Sequence, residues 1–218
     1  MSSSPKLKKS LFSKKEQNVF NKLNTPAKIQ DFLDRMPFNF EEEGETYRSP
    51  REVLKAGKAH CFEGAVFAAA ALYFHGRKAP LLDLKVSDLK KDADHTVTLF
   101  KEGKGKNKRW GAISKTNHAV LRFRDPVYKT VRELTMSYFH EYFLDDGKKT
   151  LISFSTPFDI VKKFGEKWIT AEEDLDKIAL ALDKSKHFPI YPASQKKYIR
   201  RASLIERKAA SLEEWEFP

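Results

Sequence analysis

The sequence predicts an α+β fold in which an antiparallel sheet packs on a buried helix. Residues 61–74 (CFEGAVFAAAALYF) are apolar nearly all round, which is typical of a helix that is buried on most sides. After residue 80 the apolar residues alternate with polar ones, which indicates strands. Short polar turns separate these strands, and strands that follow one another in this way favour antiparallel pairing.

Two helices are predicted before the buried one. Thr25 and Pro26 open the first, because threonine is a good N-cap and proline suits the first helical turn, and Pro37 ends it. Residues 49–52 (SPRE) form a capping box with a proline inside it, so a short second helix is expected to continue to Gly57.

Four strands are predicted after the buried helix. Alternating or β-branched apolar residues mark them in residues 82–86, 95–100, 110–113 and 119–124. Pro126 is expected to end the fourth strand. A polar turn that contains glycine, residues 101–108 (KEGKGKNK), joins the second strand to the third.

The remainder of the chain is predicted to be largely helical. Residues 127–145 are rich in aromatic residues and partly helical, Thr170 begins a capping box that opens a helix, and Ser194 caps the last helix. The predicted organisation is a disordered basic leader in 1–18, a core in 19–160 and a helical extension packed on that core in 161–218.

The composition limits the class of protein. Of the 218 residues, 40% are hydrophobic, which excludes wholesale disorder. The single cysteine, Cys61, excludes an internal disulfide and a zinc site made of several cysteines, so we expect no metal, no cofactor and a cytoplasmic location. No apolar run is long enough to cross a bilayer, and the N-terminus lacks the apolar stretch of a signal peptide, so no membrane partner is expected.

The net charge of +11 is concentrated at the two ends of the sequence. Residues 1–15 contain five lysines and no acid, and residues 194–210 contain six basic residues and one acid. Such ends keep a protein soluble or bind nucleic acid or another acidic partner. No nucleic-acid motif accompanies the charge, which favours solvated tails over nucleic-acid binding.

Cys61 is the candidate nucleophile. It stands at the start of the buried helix, and residues 57–60 (GKAH) offer no Ser, Thr, Asp or Asn to cap the first-turn amides. The helix dipole at this position favours a thiolate, and unused amides can bind a developing oxyanion. Glu63 works against the thiolate by adding negative charge nearby.

His95 and Asp125 are the candidate partners of this thiol. His95 opens a strand in phase with Val97 and Leu99, so its side chain is expected to face the helix that begins at Cys61. A histidine base works best when a third group orients its other nitrogen. Asp125 ends the fourth strand on an apolar face, where a carboxylate needs such a donor.

These segments resemble the core of the transglutaminase-like superfamily, whose members share a papain-like fold. The resemblance is carried by GKAHCFEGAVFAAAAL, DHTVTLF, RWGAI and RDP, within residues 57–127. It implies that Cys61 is the nucleophile, His95 the base and Asp125 the orienting group. Members of the superfamily include cross-linking enzymes, proteases, amidases and inactive copies, so the resemblance does not define one reaction.

The third member of the triad departs from the family pattern, which places an aspartate in W-x-x-x-D on the strand after the histidine strand. Here that stretch runs from Trp110 to Ser114. Three alternatives stay open: Asn117 or Ser114 replaces the acid, Asp125 reaches in from the next strand, or the triad is incomplete. His118 and Trp110 are further candidates for lining the pocket.

The sequence therefore favours a cysteine-dependent acyl-transfer enzyme that hydrolyses an amide or peptide bond. Its expected partner is a peptide or another amide-containing substrate. The alternative is a catalytically degenerate binding protein on the same fold, whose basic ends contact an acidic partner.

Overall fold

The computed structural model describes residues 7–215. It has an α+β architecture built around one six-stranded sheet, with strand order β4-β3-β2-β1-β5-β6 and antiparallel pairing throughout. This confirms the predicted fold class. The strands are β1 (Leu81–Val86), β2 (His95–Glu102), β3 (Arg109–Ile113), β4 (Arg124–Tyr128), β5 (Leu151–Ser155) and β6 (His187–Pro189).

Eight α-helices lie within the described residues. They are α1 (Lys14–Lys22), α2 (Pro26–Asp34), α3 (Pro50–Ala56), α4 (Cys61–Phe74), α5 (Val131–Phe139), α6 (Ile160–Phe164), α7 (Asp176–Asp183) and α8 (Leu204–Ala210). Thr25 caps α2 and Ser49 caps α3, as their sequences predict, and Gly57 ends α3 in the left-handed conformation.

Helix α4 is the centre of the main core. Every residue after Cys61 in this helix is buried, which confirms the buried helix that the apolar run predicts. Gly64 is needed where α4 meets Lys115, since a Cβ at residue 64 would lie 2.2 Å from the Lys115 Cβ. Over residues 7–215 we find no helix with both the length and the apolar character required to span a bilayer.

The two faces of the sheet pack into separate cores. Phe100 and Ile113 face α4. Val97 and Leu99 lie on the opposite face of the sheet, where they pack with α5 in a second cluster. The expectation that Val97 and Leu99 face α4 is therefore wrong. Thr98 of β2 also contacts α4, because its hydroxyl donates to the carbonyl of Ala65.

The predicted disordered leader is wrong for the residues that the structure describes, because residues 7–18 pack on the core. Leu7 and Phe12 are buried, and the Phe12 ring lies 4.9 Å from that of Phe20 in α1. Phe20 in turn stacks on Phe67 of α4 at 5.3 Å. Residues 1–6 of that leader lie outside the described residues.

The predicted fourth strand is displaced along the sequence. Residues 119–121 form a 3₁₀ turn, and β4 begins only at Arg124 and continues through Pro126. A proline is tolerated there because β4 is the edge strand of the sheet, where one side of the backbone needs no ladder partner.

The second half of the chain holds further corrections. The helix α5 confirms that residues 127–145 are partly helical, but α7 begins at Asp176 rather than at the Thr170 capping box. Ser194 lies in a 3₁₀ helix, and the cap of α8 is Ser203. The extension after residue 160 is also not purely helical, because β6 completes the sheet next to β5.

Candidate functional site

Cys61 stands at the first position of α4, at the end of the sheet where β2 begins. Its side chain is partly exposed, and it is the only cysteine of the chain. Two cavities meet at this residue, with volumes of about 460 Å³ and 750 Å³. The thiol is therefore held by a buried helix and open to space large enough for a peptide segment.

His95, the first residue of β2, lines the same cavity as Cys61. Its Nε2 lies 2.7 Å from the hydroxyl of Ser114, and that hydroxyl donates its own hydrogen to the carbonyl of Leu121 at 2.8 Å. Ser114 must then accept from His95, so Nε2 carries a hydrogen. The tautomer that results leaves Nδ1 as the nitrogen of the neutral ring that can take up a proton.

Ser114 is itself held rigidly. Both its backbone amide and its carbonyl are bonded to the side chain of Gln30, at 2.9 Å and 2.8 Å. Ser114 is 1% exposed and Gln30 5% exposed, so these bonds lie away from solvent. Because α2 carries Gln30, this helix fixes the position of the group that orients His95.

The thiol is set up to ionise. Burial opposes the charge and would raise the pKa of Cys61, but hydrogen bonds and positive charge from His60 and His95 outweigh it, so the pKa lies well below its ordinary value. A lowered pKa favours the thiolate, which is the nucleophilic form of the group.

The first turn of α4 is capped by a histidine. The Nδ1 atom of His60 accepts from the amide of Phe62 at 3.3 Å, and Glu63 accepts from the His60 amide at 3.0 Å. The expectation that these amides lack a side-chain cap is therefore wrong. The Cys61 amide is at the first helical position, where a helix has no internal acceptor for it.

His60 also faces the sulfur. Its Nε2 lies 2.7 Å from the Thr46 carbonyl, to which it donates, and its Nδ1 lies 4.0 Å from the Cys61 sulfur. Burial lowers the pKa of His60, but the sulfur, Glu63 and Glu41 raise it to about 9. The Nδ1 atom accordingly accepts from the helix when neutral and donates towards the thiolate when protonated.

Glu63 is a fully buried carboxylate with a complete set of partners. Its exposed fraction is 0%, and its oxygens accept from Asn39 at 3.2 Å, from Thr46 at 2.8 Å and from the Arg48 amide at 3.2 Å. The Arg48 guanidinium lies 3.3 Å away and balances the charge. This network links the loop before α3 to the start of α4 and so fixes the cap.

The structure brings some of the other predicted residues to the site and not others. The hydrogen bond of His95 goes to Ser114, whereas Asp125 lies exposed on β4. Asn117 and His118 line the smaller cavity but bond to residues 213 and 215 rather than to His95. Trp110 packs on the second core, beneath the Lys101 ammonium.

Lys115 belongs to the site and carries no signal in the sequence. Its ammonium is bonded to the carbonyls of Leu33 and Met36 at the end of α2, and its side chain is 1% exposed. Burial lowers its pKa to about 8. The sequence context, a lysine between two polar residues, predicts an exposed side chain. Lys115 is buried because α2 packs on this segment.

The larger cavity is lined by acidic residues. They are Glu41, Glu45, Asp83, Asp92, Asp94, Asp176 and Asp183. Oxygens of Asp83, Asp94 and Asp183 lie within 4.8 Å of one another, a spacing at which carboxylates can hold a cation. The Lys85 ammonium already lies 2.5 Å from Asp183, and the His187 ring nitrogen lies 3.0 Å from Asp83.

No protein-family model and no curated protein matches the chain. Among solved structures, it is similar to Legionella pneumophila LapG at 17% identity and a TM-score of 0.34, over 45% of this chain and 59% of that one. It is also similar to EGTA-treated LapG of the same organism at 12% identity and a TM-score of 0.37, over 76% of this chain and 82% of that one. The chain thus spans under two thirds of the first of these structures.

Proposed function

We propose that the chain is a cysteine-dependent acyl-transfer enzyme that hydrolyses an amide or peptide bond. The observation that supports the proposal is the placement of Cys61, at the head of a buried helix, in one cavity with His95, whose Nε2 is hydrogen-bonded to Ser114. A thiolate, a proton donor and a group that orients the donor are the parts that nucleophilic acyl transfer needs.

The proposed reaction begins with attack of the Cys61 thiolate on a substrate carbonyl. The carbon–sulfur bond forms, the oxygen takes up the negative charge, and the amide of Cys61 is in position to bind it. When the oxyanion collapses, the carbon–nitrogen bond breaks and the His95 Nδ1 proton passes to the leaving amine. A thioester on Cys61 remains.

Water completes the proposed cycle. His95, now neutral, accepts a proton from a water molecule as that water attacks the thioester carbonyl. The carbon–sulfur bond of the new intermediate then breaks, which releases a carboxylic acid that loses its proton to solvent and restores the Cys61 thiolate beside a protonated His95. An amine in place of water would give transamidation by the same steps, and water is the simpler acceptor.

The third group in this proposal is a neutral one. Ser114 fixes the orientation and tautomer of His95, but a hydroxyl cannot stabilise the imidazolium as a carboxylate does. His60, on the other side of the sulfur, supplies the second positive group that favours the thiolate. The cytoplasmic location expected from the lone cysteine belongs to this proposal, since a reducing compartment keeps Cys61 a free thiol.

A small activated ester tests the proposal without knowledge of the natural substrate. With p-nitrophenyl acetate at pH 7, we expect p-nitrophenolate release, an acetyl group on Cys61 in the intact mass, and loss of that group with time. Cys61→Ala is expected to abolish all three, and His95→Ala to slow the release by about a hundredfold or more.

His140→Ala is the matched control for the loss of a histidine, because His140 is exposed at the end of α5. It is expected to release p-nitrophenolate at the parent rate. Release that persists in Cys61→Ala, or a Cys61 that stays unmodified until the chain is denatured, would contradict the proposal.

One observation favours the alternative, a binding protein without catalysis. Ser114 occupies the place where the resembled family has an aspartate, and a neutral partner is what a degenerate site would retain. In that case Cys61 stays unacylated, and Cys61→Ala binds peptides as well as the parent does.

A further inference from the structure

A short stretch of chain pairs with the wall of the Cys61 cavity as an added strand would. We call residues 211–215 the strap and residues 117–119 the docking edge. The Ala119 amide donates to the Leu212 carbonyl at 3.0 Å, and the Glu214 amide donates to the Asn117 carbonyl at 3.0 Å. His118 and Glu213 lie opposite each other in antiparallel register. This is the backbone pattern by which an edge captures an extended peptide.

Side chains of the docking edge and of the nearby Arg122 contact acidic residues of the strap. The side-chain amide of Asn117 donates to one carboxylate oxygen of Glu213 at 3.1 Å, and the His118 Nδ1 atom lies 3.2 Å from the other oxygen. The guanidinium of Arg122 pairs with Glu214. Two consecutive carboxylates are therefore each met by a separate donor.

An aromatic position follows the two acidic ones. The ring of Trp215 lies over the buried ammonium of Lys115, 5.8 Å from ring centre to nitrogen. The Asn117 side chain also donates to the Trp215 carbonyl at 3.2 Å, so this side-chain amide bonds to two residues of the strap, Glu213 and Trp215. The register that results is acidic, acidic, aromatic.

The docking edge and the thiol share one cavity. Cys61, His95, Asn117 and His118 line the space of about 460 Å³, and Ser211 and Glu213 of the strap line it as well. A chain that lies on the docking edge therefore runs past the mouth of the site.

The strap is held weakly for a segment of its own protein. Ser211 to Glu214 are exposed, Leu212 is 67% exposed, and α8 before them buries no residue. Among residues 7–215, the buried Nε of Arg122 and Nε1 of Trp215 have no hydrogen-bond partner. Exposed ion pairs add little to stability, so a better-fitting peptide can replace the strap.

We infer that the docking edge binds an extended partner peptide with two consecutive acidic residues followed by an aromatic one, and that the strap is its resident competitor. The inference goes beyond the proposed chemistry, since docking needs no reactive thiol. Displacement of the strap by such a peptide would open the cavity wall beside Cys61.

The test uses a fluorescent peptide of residues 209–215 (AASLEEW) and the full chain, with binding followed by fluorescence polarisation. In Glu213→Ala/Glu214→Ala the strap loses its two carboxylates while the docking edge is intact. Because a tethered competitor acts at a high effective concentration, this variant is expected to bind the peptide at least about tenfold more tightly than the parent. Adding Arg122→Ala is expected to return binding to the parent level or below.

Leu212→Ala is the matched control, because it removes an exposed side chain and keeps the backbone carbonyl that accepts from Ala119. This variant is expected to bind the peptide as the parent does. A peptide with lysine at both glutamate positions is expected not to bind. Equal binding of the acidic and lysine peptides, or no gain in the double variant, would overturn the inference. Repeating the titration with Cys61→Ala in the double variant separates the two ideas, because docking is expected to persist there even if p-nitrophenyl acetate shows no thiol chemistry.

Discussion

The two sides of Cys61 are built in different ways. On the helix side, His60 caps α4 and is locked by Glu63, a carboxylate with 0% exposure and partners on every oxygen. On the strand side, the Nε2 atom of His95 is bonded to a neutral hydroxyl, that of Ser114. The helix side is a charged network around the start of α4, whereas on the strand side the hydrogen-bond partner of the histidine is uncharged.

The difference follows from the cost of burying charge. A buried carboxylate such as Glu63 is tolerated only when all its partners are present, so the helix side is expected to carry stability. A serine beside His95 adds no charge to the interior, so the strand side is expected to carry reactivity with little effect on folding. The predictions below test this division.

The largest effect is expected for His95→Ala. Loss of the group that donates the proton should lower p-nitrophenolate release by about 10²–10⁴-fold, while the free energy of unfolding in urea changes by about 1 kcal/mol. Kinetics and urea denaturation of the same preparation measure both. A variant that unfolds with a loss comparable to that of a core deletion would show that the strand side also carries stability.

The opposite pattern is expected for Glu63→Ala. Removing this carboxylate leaves Arg48 and several buried donors without their partner, which should cost about 3–5 kcal/mol of unfolding free energy in urea. Glu52→Ala is the matched control, because Glu52 is a partly exposed glutamate paired with Lys55, and about 0–1 kcal/mol is expected. A cost for Glu63→Ala as small as that of the control would remove the basis of the comparison.

The pH dependence of the thiol tests whether both sides act on the sulfur. Because the folded-state pKa of Cys61 is lowered, the thiolate persists to lower pH than in an ordinary thiol, and labelling by iodoacetamide should fall much less between pH 8 and 6 than it does for such a thiol. An ordinary thiol with a pKa of about 8.5 loses roughly 80-fold over this interval.

His60→Ala and His95→Ala are each expected to move the labelling curve to higher pH, since each histidine lowers the Cys61 pKa. The rate at pH 6 should fall by about tenfold in either variant, the loss of thiolate being partly offset by its greater intrinsic nucleophilicity. A curve that shifts in only one of them would assign the ionisation to that side alone.

The smallest effects are expected for Ser114 and Asp125, the two candidates for the group that orients His95. Ser114→Ala should slow p-nitrophenolate release by about tenfold, as the loss of an orienting partner does for other histidines. Asp125→Asn should leave the rate unchanged, because Asp125 is exposed on the edge strand. If the Asp125 variant were slower than the Ser114 variant, the orienting group would be Asp125, as the family resemblance implies.

Local patterns predicted the elements around the site well. The apolar run of α4, the caps of α2 and α3 and the alternation in β1 depend on residues a few positions apart, so the sequence contains their whole cause. The same reasoning failed for residues 7–18, where lysines suggested disorder. Two phenylalanines, Phe12 and Phe20, hold this stretch on α4 through contacts that charge counting does not reveal.

The sequence by itself determined that a lone cysteine heads an inner helix and that a histidine opens a nearby strand, because both are properties of short segments. Only the tertiary structure decided that Ser114 rather than Asp125 meets His95, that His60 is the cap, and that Lys115 is buried. Those contacts join residues far apart in the chain, such as Gln30 and Ser114, and depend on strand register and helix packing. A shift of one residue in a strand turns its side chains to the other face, so such pairings exist only once the sheet is assembled.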